Sequence, residues 1–186
     1  MKRLFDFIFS CVAVIILLIP MFAIFTLIRM TSGAPAIYWS NRVGRNNKIF
    51  HMPKFRTMEV GAPTVASHLL SNPGPHLIKL GSFLRKSSLD ELPQLWCILI
   101  GDMSFVGPRP ALFNQDDLIA LRSQYGVHKL TPGLTGWAQV NGRDELGASV
   151  KVQYDVEYLN EQSFWFDMKI LALTFFKVIR GSGVSH

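Results

Sequence analysis

The familiar ligand patterns are missing from this chain, and acid is scarce. Two cysteines occur among 186 residues, Cys11 and Cys97, both in apolar stretches. Two isolated thiols make neither a disulfide framework nor a zinc site, so both read as packing residues. The five histidines, at 51, 68, 76, 128 and 186, show no ligand spacing, which argues against a metal held by imidazole. Any metal here would be a hard one, held by oxygen. Charged residues make up only 17% of the chain, yet Lys and Arg outnumber Asp and Glu by 19 to 13, a net of +6. A basic surface takes an acidic partner: nucleic acid, anionic lipid or a phosphorylated substrate. Mean hydropathy is +0.24, and the dense Lys/Arg clusters of nucleic-acid binders are lacking. Membrane and phosphate therefore lead, and no nucleic acid is expected.

What the chain does have is a long apolar run. "FIFSCVAVIILLIPMFAIFTLI", residues 7–28, carries no charge. It is too long for a signal core, and no small-x-small cleavage site follows. It is read as staying on the protein and entering lipid. As one straight helix it reaches roughly 33 Å, just enough to cross. Pro20 removes a backbone donor inside it and predicts a bend, and neither arm crosses alone. Basic residues flank both ends: Lys2 and Arg3 before, Arg29, Arg42 and Arg45 after. Positive charge on both sides favours two cytoplasmic ends. A helix-break-helix that enters and leaves by one face satisfies both observations; a spanning helix with a kink is the alternative.

The remainder reads as mainly α in an α+β chain. Two short strands form a small hairpin in 36–52 around "GRNN". Residues 61–75 form a proline-rich loop. Helices are expected over about 76–86, 91–100, 111–124, 147–160 and 164–180. The last has a wide apolar face, and either lies in a membrane interface or covers the core.

"SSLDELPQLW", residues 87–96, sets Asp90 beside Glu91. Ser88 and Glu91 match a capping box, but that would put Pro93 where a helix needs its N–H. Asp90 as cap places Pro93 at a position where the missing N–H costs nothing, so a purely structural role is open. Four basic segments near Gly/Pro turns compete with it. They carry Lys54 and Arg56 in "PKFRTM", Arg85 just upstream of the acidic pair, Arg109 in "GDMSFVGPRP", and Arg143 closing "TPGLTGWAQVNGR". Together they suggest phosphate groups held at one site.

In their order, "KFRTM", "SSLDELPQL", "GDMSFVGPRP", "PGLTGWAQVNGR" and "YDVEYLNEQSFWFDMKI" resemble the motifs of the bacterial sugar transferase family, the monotopic phosphoglycosyl transferases. The resemblance covers nearly the whole chain and is to the small members. It implies transfer of a sugar 1-phosphate from a UDP-sugar to undecaprenyl phosphate, with release of UMP, as the first membrane step of surface-glycan synthesis. It further implies Mg²⁺, an aspartyl nucleophile matched to Asp90 with Glu91 as its partner, and a re-entrant helix broken at Pro20. Asp90 would also hold the metal; Glu91 would bind metal or assist proton transfer. The expected layout is a re-entrant membrane segment, 1–30, and a catalytic domain, 31–186, on the cytoplasmic face of the bacterial inner membrane, with its lipids as partners and a homodimer allowed. Members often carry Asn and Lys where this chain has Cys97 and Ile100, and the loop 61–75 lacks their acids. A membrane-anchored basic scaffold for lipid or nucleic acid is the competing function; it leaves the carboxylate pair unexplained.

Overall fold

Unbroken apolar sequence makes the first helix long, and the domain uses one stripe of it. In the computed structural model, which describes residues 1–62, 76–142 and 146–180, helix α1 runs Lys2–Ser32 with Pro20 inside it. At 1.5 Å per residue that is roughly 46 Å. It stops at Gly33, whose left-handed φ of 65° suits glycine and whose N–H reaches the Arg29 carbonyl. The elements that follow are β1 (Ile37–Val43), β2 (Ile49–Phe55), α2 (Gly81–Lys86), a 3-10 turn at Leu89–Gln94, α3 (Leu95–Ile100), β3 (Ser104–Val106), β4 (Ala111–Leu112), α4 (Asp116–Gln124), β5 (Gly133–Thr135), α5 (Trp137–Asn141), α6 (Ala148–Glu161) and α7 (Phe164–Arg180).

Strands β1 and β2 form the expected hairpin, in register from Ile37↔Phe55 to Val43↔Ile49. Asn46 and Asn47 take left-handed φ values of 57° and 58° at its turn, a conformation that asparagine tolerates. The second strand is longer than expected and absorbs "PKF". Pro53 is admissible there because β2 is an edge strand in the order β2-β1-β4. Lys54 is thereby placed on a strand rather than in a loop.

Three helix boundaries move. The helix expected from 76 begins at Gly81, since Leu77 forms a bridge with Met58. The 91–100 helix divides: Pro93 lies in the 3-10 turn, and the α-helical part starts at Leu95. The 111–124 helix begins only at Asp116, because Ala111 and Leu112 pair with Val43 and Arg42. The parallel pair β3–β5 and the short α5 were not anticipated; their segments read as turns. Most of the loop expected at 61–75 lies outside the described residues.

Helix α1 belongs to the cores of the domain. Ala13, Val14 and Leu17 pack on the cluster of Phe50, Met52, Leu95 and Ile98. Ile28 is fully buried with Ala36, Phe55, Ile78 and Leu84, and Met21 and Ile24 pack on that group. Its polar residues dock it as well. Lys2 Nζ lies 2.5 Å from Asp167 Oδ2 on α7. The Arg3 guanidinium donates to the last carbonyls of α3, those of Ile98 and Leu99. The Asp6 carboxylate accepts the Phe105 N–H at 3.1 Å. The opposite face is bare, with Ile15, Ile19 and Phe22 among its exposed residues. Helix α7 is likewise reversed: Asp167 and Ile170 are buried, while Trp165, Phe175 and Phe176 are exposed. Cys97 is buried in the core, consistent with the packing role expected of it.

Ile28→Ala removes a fully buried side chain where α1 meets the sheet. It is expected to cost about 2–5 kcal/mol, read as a lower midpoint of cooperative unfolding in detergent; an unchanged midpoint would mean that α1 does not dock there.

Candidate active site

Three segments meet at the acidic pair. Lys54 comes from the end of β2. Asp90 and Glu91 sit in the 3-10 turn, which opens at Ser88 in a left-handed conformation, φ 56°, with the Glu91 N–H on the Ser88 carbonyl at 3.2 Å. Ser88 makes no side-chain capping bond, so the capping box does not form. Asp90 is not a cap either: it lies inside the turn, and Gln94 precedes α3. Arg109 comes from the loop between β3 and β4.

Glu91 is pinned. Its Oε1 accepts Lys54 Nζ at 2.7 Å and Arg109 Nη2 at 2.9 Å. Burial works against its charge, but Arg109 and Lys54, through charge and hydrogen bonds, outweigh it and hold the carboxyl well below the usual range. Asp90 differs. It is 9% exposed and feels the charges of Lys54, Arg109 and Arg85, yet accepts no hydrogen bond among the described residues. Burial pushes its carboxyl above the ordinary value, with the Glu91 charge adding to the rise and the cations opposing it. Adjacent carboxylates with such unlike surroundings mark a functional site more often than a scaffold.

Arg85, near the end of α2, donates from Nε to Thr57 Oγ1 at 3.0 Å; burial lowers its pKa and the Asp90 charge opposes that. Lys54, Arg85, Arg109, Asp90 and Glu91 are therefore brought together. Arg56 is not: it donates to the Pro35 carbonyl at 2.7 Å and stacks over Tyr38 at 5.7 Å. Arg143 lies outside the described residues. Three residues that brace these segments were not picked out from the sequence. Buried Thr57 orients Arg85, and a threonine inside a basic motif is the signal that was there to read. Arg122 and Asp155 pair at 2.7 Å from positions 33 residues apart, which no local pattern joins.

No group of three or more His, Cys, Asp or Glu side chains that could hold a metal occurs among the described residues. Asp90 supplies one unengaged carboxylate, whereas Glu91 is committed to two cations. That donor set fits Mg²⁺ sharing its coordination with substrate phosphates and water, and does not fit an all-protein cage.

With the geometry in hand, the sequence profile described as bacterial sugar transferase matches residues 1–181. The chain belongs to the bacterial sugar transferase family. It is 40% identical over 191 residues to the protein named uncharacterized sugar transferase EpsL of Bacillus subtilis (strain 168), covering 100% of this chain and 91% of that one. It is 38% identical over 184 residues to the UDP-glucose:undecaprenyl-phosphate glucose-1-phosphate transferase of Escherichia coli (strain K12), spanning 95% of this chain and 40% of that protein. Against the undecaprenyl-phosphate galactose phosphotransferase of Salmonella typhimurium the identity is 36% over 199 residues, spanning 98% and 41%.

The pinning of Glu91 in this transferase makes a rank-order prediction. Glu91→Leu strands two cations and should destabilise most, by about 2 kcal/mol. Lys54→Met should come next, since its side chain is 16% exposed, and Arg109→Met, at 40% exposure, should matter least. Chemical unfolding in detergent gives the order; equal losses would overturn the ranking by burial, and no loss in any variant would show that the cluster contributes nothing to folding.

Proposed function

We propose that the chain transfers a sugar 1-phosphate from a UDP-sugar to undecaprenyl phosphate by two displacements at Asp90. The observation that carries this reading is the asymmetry of the pair. Glu91 is locked by Lys54 and Arg109, while its neighbour is unengaged among three cations. The named activities of the Escherichia and Salmonella relatives supply the substrate class. An Asp90 oxygen attacks the phosphorus that bears the sugar, the bond to the bridging oxygen breaks, and UMP leaves. A phosphate oxygen of undecaprenyl phosphate then attacks the same phosphorus, the acyl–phosphate bond breaks, and the carboxylate is restored with a polyprenyl diphosphate sugar released. An anionic nucleophile approaches a diphosphate only where cations offset the charge; Lys54, Arg85 and Arg109 stand there. Mg²⁺, when bound, supplies further neutralisation of the diphosphate, and Asp90 is the residue to hold it. Glu91 aims Lys54 and Arg109.

The same reading puts α1 in one leaflet. The domain packs along α1 from Lys2 to Ile28, so a crossing helix would draw the domain into the bilayer with it. A re-entrant course relieved at Pro20 keeps both ends on the cytoplasmic face of the inner membrane, and the bare apolar faces of α1 and α7 meet lipid. A basic scaffold would dock similarly but would not turn over a UDP-sugar.

In reconstituted enzyme with Mg²⁺ and a panel of UDP-sugars, UMP release is expected for at least one donor and should stop in EDTA. Without lipid phosphate, the protein should gain the mass of a sugar phosphate, and undecaprenyl phosphate should discharge it. Asp90→Asn should lose both turnover and adduct, at least about 10³-fold, while remaining folded. An active Asp90→Asn would eliminate the covalent route. For topology, a cysteine added ahead of Met1 and one at Ser32, with Cys11 and Cys97 replaced, should both escape a membrane-impermeant thiol reagent in intact cells and react after permeabilisation. Labelling of one alone in intact cells would establish a crossing helix.

A further inference from the structure

Arg109 stands in a loop whose backbone is held from behind. Pro108 and Pro110 flank it and have no N–H to donate, so the loop is fixed through its carbonyls. The Pro108 carbonyl accepts the Gly133 N–H at 2.9 Å. The Arg109 carbonyl accepts Arg122 Nη1 at 2.8 Å. The Pro110 carbonyl accepts Arg42 Nη1 at 3.2 Å. At the loop entrance a Cβ on Gly107 would lie 2.4 Å from the Thr131 carbonyl oxygen, which leaves room only for glycine.

The middle brace is the most elaborate. Arg122, on α4, also donates from Nε to Asp155 Oδ2 on α6 at 2.9 Å, and its Nη2 lies 2.7 Å from the same oxygen in an ion pair. The side chains of Arg122 and Asp155 are 11% and 2% exposed. Burial pushes the Asp155 carboxyl up from its ordinary value although Arg122 pulls it down. Desolvation offsets much of the attraction in a pair of this kind, so its contribution to stability is small. What it does supply is direction: a guanidinium hydrogen-bonded on two sides, to Asp155 and to the Arg109 carbonyl, has one orientation, and Arg109 is fixed through it.

We propose that Arg122 and Asp155 are positioning residues for the transfer: Asp155 orients the Arg122 guanidinium, which holds the Arg109 carbonyl and thereby aims the Arg109 side chain at Glu91 and the substrate diphosphate. Neither residue touches the acidic pair. Lysine at 122 keeps the charge but, with one nitrogen, cannot span Asp155 and the Arg109 carbonyl together.

The inference rests on the reaction proposed above, and its test separates the two. The full chain in nanodiscs is assayed for UMP release; a wild type inactive with every UDP-sugar sinks the reaction and this inference with it. Given activity, kcat/KM is measured for Arg122→Lys, for Arg109→Ala and for the double variant. Arg122→Lys is expected to lower kcat/KM about tenfold with its unfolding midpoint retained, and to change it less than about twofold once Arg109 has no side chain to aim. If Arg109→Ala falls below detection, UDP affinity by calorimetry gives the same cycle. If Arg122→Lys fails to fold, Asp155→Asn releases the guanidinium from its other side and takes its place. Equal losses with and without the Arg109 side chain, or no loss at all, overturn the proposal.

Discussion

Two cations from distant segments converge on one carboxylate oxygen, and that contact sets the rest of the site. Lys54 arrives from a sheet edge and Arg109 from a proline-bounded loop, and both end on Glu91 Oε1. An exposed pair of this type contributes little. Here the Lys54 and Glu91 side chains are mostly buried, so the pair cannot be loosened without stranding charge. The cost falls on Asp90. Its neighbour holds Lys54 and Arg109, and Asp90 is left buried, without a hydrogen bond among the described residues, and flanked by cations.

The second constraint is the reversal of polarity on α1 and α7. In water, helices with buried Asp6, Ser10 and Asp167 and exposed isoleucine, tryptophan and phenylalanine would be inside out. Beside lipid the same faces are ordinary, because polar groups there find partners inside the protein. Asp167 illustrates this: it accepts the Tyr158 hydroxyl at 2.7 Å and the Lys2 ammonium. Arg3 completes the end of α3, the helix that begins where the turn carrying Asp90 and Glu91 stops. The apolar helix is thus joined to the site through Arg3 and the six residues of α3.

Much of the site was legible in the sequence because its residues sit in short motifs with turn chemistry. Asp90, Glu91, Lys54, Arg85 and Arg109 stood out that way, and α6 and α7 were found nearly to the residue by their periodicity. What escaped detection depends on tertiary contact. Arg56 stands two residues from Lys54, but the strand ends between them and Arg56 turns to Tyr38. The two-residue β4 and the parallel β3–β5 pair have no periodicity to read. The hairpin expected over 36–52 stops short of Pro53, which the strand includes because β2 lies at the sheet edge. Asp90 read as a cap because Pro93 fits a first helical turn; the chain uses that proline in a 3-10 turn instead.

That turn explains how consecutive acids come to differ. At three residues per turn, successive side chains diverge by about 120°, so Asp90 and Glu91 meet the same cations differently. Glu91 bonds Lys54 and Arg109; Asp90 senses their charge without a hydrogen bond among the described residues. The left-handed Ser88 is uncommon for a residue with a side chain and is a local cost of starting the turn there. Pro93 and the buried Gln94, both within the turn, limit its freedom to relax. Environments that drive two neighbouring carboxyls apart, one down by ion pairing and one up by burial, divide the labour between them. In the proposed transfer the locked carboxylate is the frame, and the other is the one to meet phosphorus.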